Sequence, residues 1–421
     1  MIFDSMHSSE ILFFIFVSVK VFESIFYLAL NTLNARHLQK AKTMPEFCVS
    51  FLSLPDYEKS KRYTASKISF ASCTGIWDTT ILLAFLFLGG FYFLESLCLR
   101  VSDSEMLCGM LFCFLILFGK QILDLPFALY HTFVLEKKFN FNKTTPALFV
   151  RDFILKWILI LVLGTPLICF LIWALTQLGP HWWIYGFFGM TGFQLFLLFI
   201  YPHWISPLFN KFNPLEPGPL KKGILDIAQK IHFDLSEIFV MDGSKRSAHS
   251  NAYFTGFGKF RRIVLFDTLV KSLSTEELLG VLTHEMGHNQ LRHIQKRLLI
   301  STAMTGIGFY LWSLLISWKP LYLAFGLSGE HVFPVLVLFP LLLDPIHFLL
   351  TPIFNKMSRT HEFEADRFSA ITTQTPEHLQ QALLKLSRNN LSNLHPHPLY
   401  SFFHDSHPPL SERLTALEKM E

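Results

Sequence analysis

The chain has 421 residues, of which 51% are hydrophobic and only 16% charged, with 46 phenylalanines and a net charge of +4. A water-soluble domain carries about 25% charged residues, so much of this surface is not made for water, and no nucleic acid is expected among its partners. The six cysteines fall mostly in or beside apolar stretches with no CxxC pair. They read as small buried hydrophobes and exclude a disulfide framework or a thiolate metal site.

Seven apolar runs follow one another at about 11–30, 75–94, 106–130, 153–178, 183–200, 298–317 and 331–354. Each approaches or exceeds the roughly 17–20 residues that cross a bilayer as a helix. Asp4 and Glu10 stand where a cleavable signal peptide would be basic, so the first run is expected to be retained. Lys and Arg concentrate between runs one and two, three and four, and five and six, and after run seven. The other loops hold at most one each, so the N-terminus is expected outside and the C-terminus in the cytosol. Lys20, Glu23, Asp78, Lys120, Gln121, Asp124 and Asp344 lie within or at the edge of the runs. Charges in lipid are costly, so these pair between helices or face a polar, hydrated space inside the bundle.

Two stretches are mixed enough to fold in water. The first, 201–297, opens on a proline-rich entry and continues with a helical pattern at 220–231. Two β-like pieces at 238–241 and 262–266 follow, and then a helix with a Ser274 or Thr275 cap. The second is the tail from about 355, helical at 375–387 and 408–419. The predicted organisation is therefore five membrane helices in 1–200, a water-facing domain in 201–297, two more helices in 298–354, and a tail in 355–421.

The water-facing helix carries Thr283-His284-Glu285-Met286-Gly287-His288. Residues four apart on a helix stand about 40° from each other, so His284 and His288 share a face. Two imidazoles so placed can bind one Zn²⁺, while Glu285 beside them can take a proton from water. A catalytic zinc wants a third ligand, and Thr360-His361-Glu362-Phe363-Glu364-Ala365-Asp366 offers candidates. Glu362 could ligate while Asp366, on the same face, orients a ligand histidine. His361 and Glu364 compete with it, as does a plain solvated face with ion pairs to Arg359 and Arg367. Residues 242–255 end in a strand-like piece that is either an edge for an extended peptide or a hairpin loop. His407 precedes Pro408, which can begin a helix, and a histidine or arginine there could support an oxyanion; the plain alternative is a surface histidine at a helix entry.

These words, taken with Gly243–Ser247, His249–Tyr253, Arg262–Leu269 and Ser406–Leu414, resemble the type I CAAX prenyl proteases. Weaker likeness runs through Glu136-Lys137, Phe141-Asn142 and Ile205–Phe212, so the resemblance covers most of the chain in order. It implies a mainly α, polytopic protein with seven transmembrane helices around a large chamber, closed by a cytosolic gluzincin-type metalloprotease domain with a small β-sheet. It implies that Glu362 is the third ligand of one Zn²⁺ and Asp366 the acid behind a ligand. It further implies that His407 serves substrate or the tetrahedral intermediate and that Asn251-Ala252 form the strand edge that holds the substrate backbone; Arg413 is a further candidate at the substrate, to support the oxyanion with His407. Partners would be a peptide or protein substrate, prenylated or not, and membrane lipid.

Three departures bear on the substrate: Thr283 where many members have glycine, no C-terminal retrieval signal, and little of the usual first-helix motif beyond Phe22-Glu23. The phenylalanine-rich composition leads to the expectation of a bacterial inner membrane, or the endoplasmic reticulum if the source is eukaryotic. The rival readings are a heat-shock type quality-control protease acting on unprenylated segments, and a transporter or scaffold with an incidental motif.

Overall fold

The computed structural model describes residues 2–255 and 261–420, the side chains of residues 2–6 excepted. The N-terminal half is helical: α1 (Ile2–Lys40), α2 (Leu54–Phe87), α3 (Gly90–Val101), α4 (Glu105–Tyr130), α5 (Pro146–Gln177) and α6 (Trp182–Ile200). Their starts are written locally. Ser53, Ser104 and Thr145 each accept a hydrogen bond from the backbone N–H three residues on, and Pro146 stands where its missing N–H costs nothing.

Among the described residues, seven helices are long and apolar enough to cross a membrane, as the seven runs predict. The second run is misregistered, however. The helix occupies 54–87, because its polar first half is helical too, and the apolar maximum at 75–94 straddles a break. At that break Gly89 adopts φ 70°, a left-handed conformation costly for any side chain, and α3 begins anew.

The charged residues in the spans meet across helices. Lys20 on α1 contacts both Glu23, at 2.5 Å, and Asp344. Lys120 on α4 reaches Asp78 on α2 at 2.9 Å and Asp124 at 2.5 Å. The expected pairing is present, and Asp78, Lys120, Asp124 and Asp344 stay about half exposed. Lys20, Glu23, Asp78, Asp344 and His347 line one cavity of about 220 Å³ between the helices.

The chain then forms α7 (Ser206–Phe209), α8 (Pro219–Lys230) and a four-stranded sheet of β1 (Phe212–Pro214), β2 (Glu237–Met241), β3 (Ala252–Thr255) and β4 (Arg262–Phe266). The strand order is β1-β2-β4-β3, with β2 and β4 parallel and β3 an antiparallel edge, Ala252 opposite Leu265. Residues 242–255 therefore end in an edge strand and not in a plain loop. Next come α9 (Asp267–Ser272), α10 (Thr275–Gln290), α11 (His293–Leu315), α12 (Lys319–Ala324), α13 (Val335–Thr373), α14 (Pro376–Asn389), α15 (Pro398–His404) and α16 (Leu410–Glu418). Ile263, Leu265, Leu269, Leu282, Met286 and Leu417 share one buried core, which joins the sheet to α10 and α16.

The apolar run at 331–354 and the candidate ligand segment at 358–366 are one element. α13 is unbroken from Val335 to Thr373 and carries the chain out of its apolar stretch to the site without a joint.

Candidate metal centre

α10 starts on a full capping box: Ser274 accepts from the Glu277 backbone while the Glu277 carboxylate accepts from the Ser274 backbone. This places His284 and His288 on its third and fourth turns, facing α13. The two helices lie close. A Cβ added at Gly287 would come within 3.0 Å of the Phe368 ring, so a larger residue there would have to push that side chain aside by a few tenths of an ångström. Ser369 of α13 also donates to the Gly280 carbonyl at 2.7 Å.

The approach brings together His284, His288 and Glu362, whose donor atoms lie within 4.8 Å of one another. The two Nε2 atoms are 3.2 Å apart, and Glu362 stands 3.5 Å from His284 Nε2 and 3.3 Å from His288 Nε2. His284 and Glu362 are buried. Asp366 Oδ1 lies 2.7 Å from His284 Nδ1, and Asp366 is itself fully buried. Burial opposes a charge on His284, yet Asp366 and Glu362 prevail and push it up to about 9. The centre attracts positive charge. Burial also lifts the Glu285 carboxyl above the usual carboxylate range, against the pull of His284 and His288 beside it.

The donors fit a metal. His284 Nδ1 faces the Asp366 carboxylate, so Nε2 is the nitrogen left for the centre, where a metal would take the place of its proton. Glu362 Oε2 is buried with no well-directed hydrogen bond. A nitrogen–nitrogen–oxygen set of this kind suits Zn²⁺ with one position open.

His407 is exposed, its Nδ1 2.8 Å from Glu362 Oε2. α13 holds the segment that leads to it: Asn355 donates to the Phe403 carbonyl at 2.6 Å and Arg359 to the Asp405 carbonyl at 2.7 Å. Arg359 thus anchors the tail instead of decorating a solvated face. Two prolines precede α16, which begins at Leu410, so Pro408 does not open that helix. Arg413, expected at the substrate, directs its Nε and Nη2 to Asp366 at 2.8 and 2.6 Å, with Nη1 3.8 Å from Glu362. Its fork clamps the acid behind His284, and a buried carboxylate needs such a partner.

Asn251 precedes the edge strand, accepts from the Phe266 N–H at 3.0 Å, and is exposed. Ala252 is buried at the first ladder position. Thr283, where many members of the resembled family have glycine, fits the helix by donating to the Leu279 carbonyl at 2.7 Å. A cavity of about 750 Å³ lined by Lys67, His249, Asn390, His407 and Arg413 adjoins the centre.

The two rival ligands sit elsewhere. Glu364 accepts from His293 Nε2 at 2.8 Å, and the His361 ring stacks on His293 at 4.0 Å. The sequence reading missed His293. The signal was a third histidine five residues past His288, which a continuous helix would turn about 140° away. Arg292, at φ 58°, breaks the helix and returns His293 to His288, the two Nδ1 atoms 2.9 Å apart.

Comparison with known proteins bears on the same residues. Residues 34–211 match the family described as CAAX prenyl protease N-terminal, five membrane helices, and residues 214–421 match peptidase family M48. The protein named CAAX prenyl protease 1 homolog of rice (Oryza sativa) is 37% identical over 95% of this chain and 96% of its own length. Its human namesake is 33% identical over 97% and 96%. The crystal structure of S. mikatae Ste24p superposes with a TM-score of 0.92 at 33% identity, covering 96% of this chain and 99% of that one. These relatives are eukaryotic and lend the expected bacterial origin no support. Two family matches that between them span most of the sequence, full-length relatives above 30% identity and the shared fold lead to one conclusion: the chain belongs to peptidase family M48, in its CAAX prenyl protease branch, and is an integral, multi-pass membrane metalloprotease.

Proposed function

We propose that the chain is a zinc endopeptidase that cleaves near the C-terminus of prenylated CAAX proteins or similar membrane-associated substrates. The observation that carries this reading is the convergence of His284, His288 and Glu362 with Glu285 alongside. One Zn²⁺ bound by those three residues would lower the pKa of water and polarise the scissile carbonyl. Glu285 takes the proton as water attacks and returns it to the leaving amine, and burial, which favours its protonated form, assists the first of these steps. His407, beside Glu362 and open to solvent, donates to the oxyanion. Asp366 orients His284, and Arg413 holds Asp366 through two charge-assisted hydrogen bonds. The edge strand from Asn251-Ala252 pairs with the substrate backbone, which fixes an extended peptide in register.

The printed names of the relatives concern CAAX prenyl proteases, and that supports the substrate class. The distribution of Lys and Arg supports an outside N-terminus and a cytosolic catalytic domain, and the endoplasmic reticulum membrane fits the eukaryotic relatives. Purified protein offered matched prenylated and unprenylated CAAX peptides tests the assignment. Preferential cleavage of the prenylated peptide is expected, and equal cleavage would favour a quality-control protease instead.

A further inference from the structure

His293, His361 and Glu364 form a second group of potential ligands directly behind the first, with donor atoms within 4.8 Å of one another. Two readings compete for it, a second metal or a device that serves the first. The geometry decides. An imidazole binds a metal in the plane of its ring, at about 2.0–2.1 Å from nitrogen. The His293 and His361 rings are stacked at 4.0 Å with only 9° between their planes. One ion cannot lie in two parallel planes separated by a ring thickness, so the pair does not share a metal.

We infer instead that Glu364 and His293 form a proton-fixed relay that sets the tautomer of His288, making them positioning residues for the metal ligand. The hydrogens can be placed from the surface inward. The Glu364 carboxylate, 44% exposed, is an acceptor only, so the His293 Nε2 that contacts it at 2.8 Å carries the proton. A neutral His293 then offers a lone pair at Nδ1, and His288 Nδ1, 2.9 Å away, must donate to it. With Nδ1 committed to His293, His288 Nε2 is the nitrogen that faces His284 and Glu362, and its lone pair is free whenever a metal stands between them. A reversed relay would put a proton on His288 Nε2 and close the site.

The same logic explains the local fold. His293 is 1% exposed and the His361 ring covers its face, so it has no freedom to flip. The left-handed Arg292 exists to return this ring to His288, since an unbroken helix would carry it away. The two ligand histidines are thus oriented by different means. A buried carboxylate with an arginine behind it holds His284, while a histidine with a half-exposed carboxylate behind it holds His288.

The inference rests on the proposed zinc site, and a metal readout separates the two. The purified full-length chain is titrated with Zn²⁺ against a chelator, and its metal content is measured. Wild type, His293→Phe, His293→Asn and Glu364→Gln are compared, with the folding of each apo form followed by circular dichroism. Outer partners of a metal histidine typically contribute 10–100-fold in affinity. His293→Phe, which keeps the stack but removes the acceptor, is expected to weaken zinc binding about 10–100-fold. His293→Asn, whose side-chain oxygen restores an acceptor near Nδ1, should recover most of that loss. Glu364→Gln, at a half-exposed position where folding is not at risk, should weaken binding by up to about tenfold, because a neutral amide holds the proton on His293 less firmly. Wild-type affinity in both His293→Phe and Glu364→Gln would overturn the relay, as would two zinc ions per wild-type chain with one lost in these variants. If His293→Phe fails to fold, Glu364→Gln decides alone. Failure of the wild type to bind zinc would instead remove the parent reading.

Discussion

Asp78, Lys120 and Asp124 in the membrane helices are each about half exposed, whereas His284, Glu362 and Asp366 at the metal centre are almost wholly buried. Both groups are networks of opposite charges between helices, but they are maintained differently. Asp78, Lys120 and Asp124 each keep about half their side-chain surface free, so none is locked to a single partner. The buried centre has no such reserve. Every charge there must be met by another, down to the arginine behind the aspartate behind the histidine, and removing one member strands the rest. Charge is therefore expected to be more replaceable at Asp78, Lys120 and Asp124 than where α10 meets α13, while the buried Lys20–Glu23 pair belongs with the second group.

Substitutions break this contrast in graded fashion. Glu285→Gln should have the largest effect, lowering cleavage by about 10²–10⁴-fold with zinc content unchanged, since it removes the proton carrier and no ligand. Turnover assays paired with metal analysis check it. Arg413→Met should come next. It leaves Asp366 buried against His284 alone and is expected to destabilise the fold by about 3–5 kcal/mol, read as a lower Tm of the metal-free protein. His407→Ala should lower kcat by about 10²–10³-fold while the fold and the metal remain, because the proposed mechanism uses this exposed ring at the reacting oxygen and the core does not need it. Ser274→Ala, which opens the capping box of α10, should cost about 1 kcal/mol in thermal unfolding. Asp78→Asn should be the mildest, below about 1 kcal/mol, because its pair with Lys120 is half exposed and Lys120 keeps Asp124. If Asp78→Asn destabilised the protein as much as Arg413→Met, the contrast between open and buried networks would fail.

The parts legible in the sequence were those set by local periodicity. His284 and His288 fall on one face by spacing alone, the capping box is four consecutive letters, and the seven spans are apolar runs. The third ligand was not legible in that way, because His361, Glu362 and Glu364 lie within one turn of each other. The crossing of α10 over α13 selects among them, and it is set by contacts distant in sequence such as Gly287 against Phe368 and Ser369 against the Gly280 carbonyl. The resemblance to a known family pointed to Glu362, and the geometry places it opposite both histidines. His293 escaped notice because its position depends on one backbone conformation at Arg292, which no periodicity announces. The continuity of α13 was hidden by composition. A helix that leaves an apolar stretch for water changes its residues but need not change its backbone, so the boundary at 354 marks a change of solvent and not the end of an element.

The account stands or falls on the metal at the crossing of α10 and α13. Metal analysis of the purified wild-type chain beside Glu362→Gln tests it most directly. About one zinc per wild-type chain, lost or bound far more weakly in the folded variant, is the predicted result. Wild-type zinc binding in Glu362→Gln would contradict it, because the ion would then have to be held without the one carboxylate that faces both histidines.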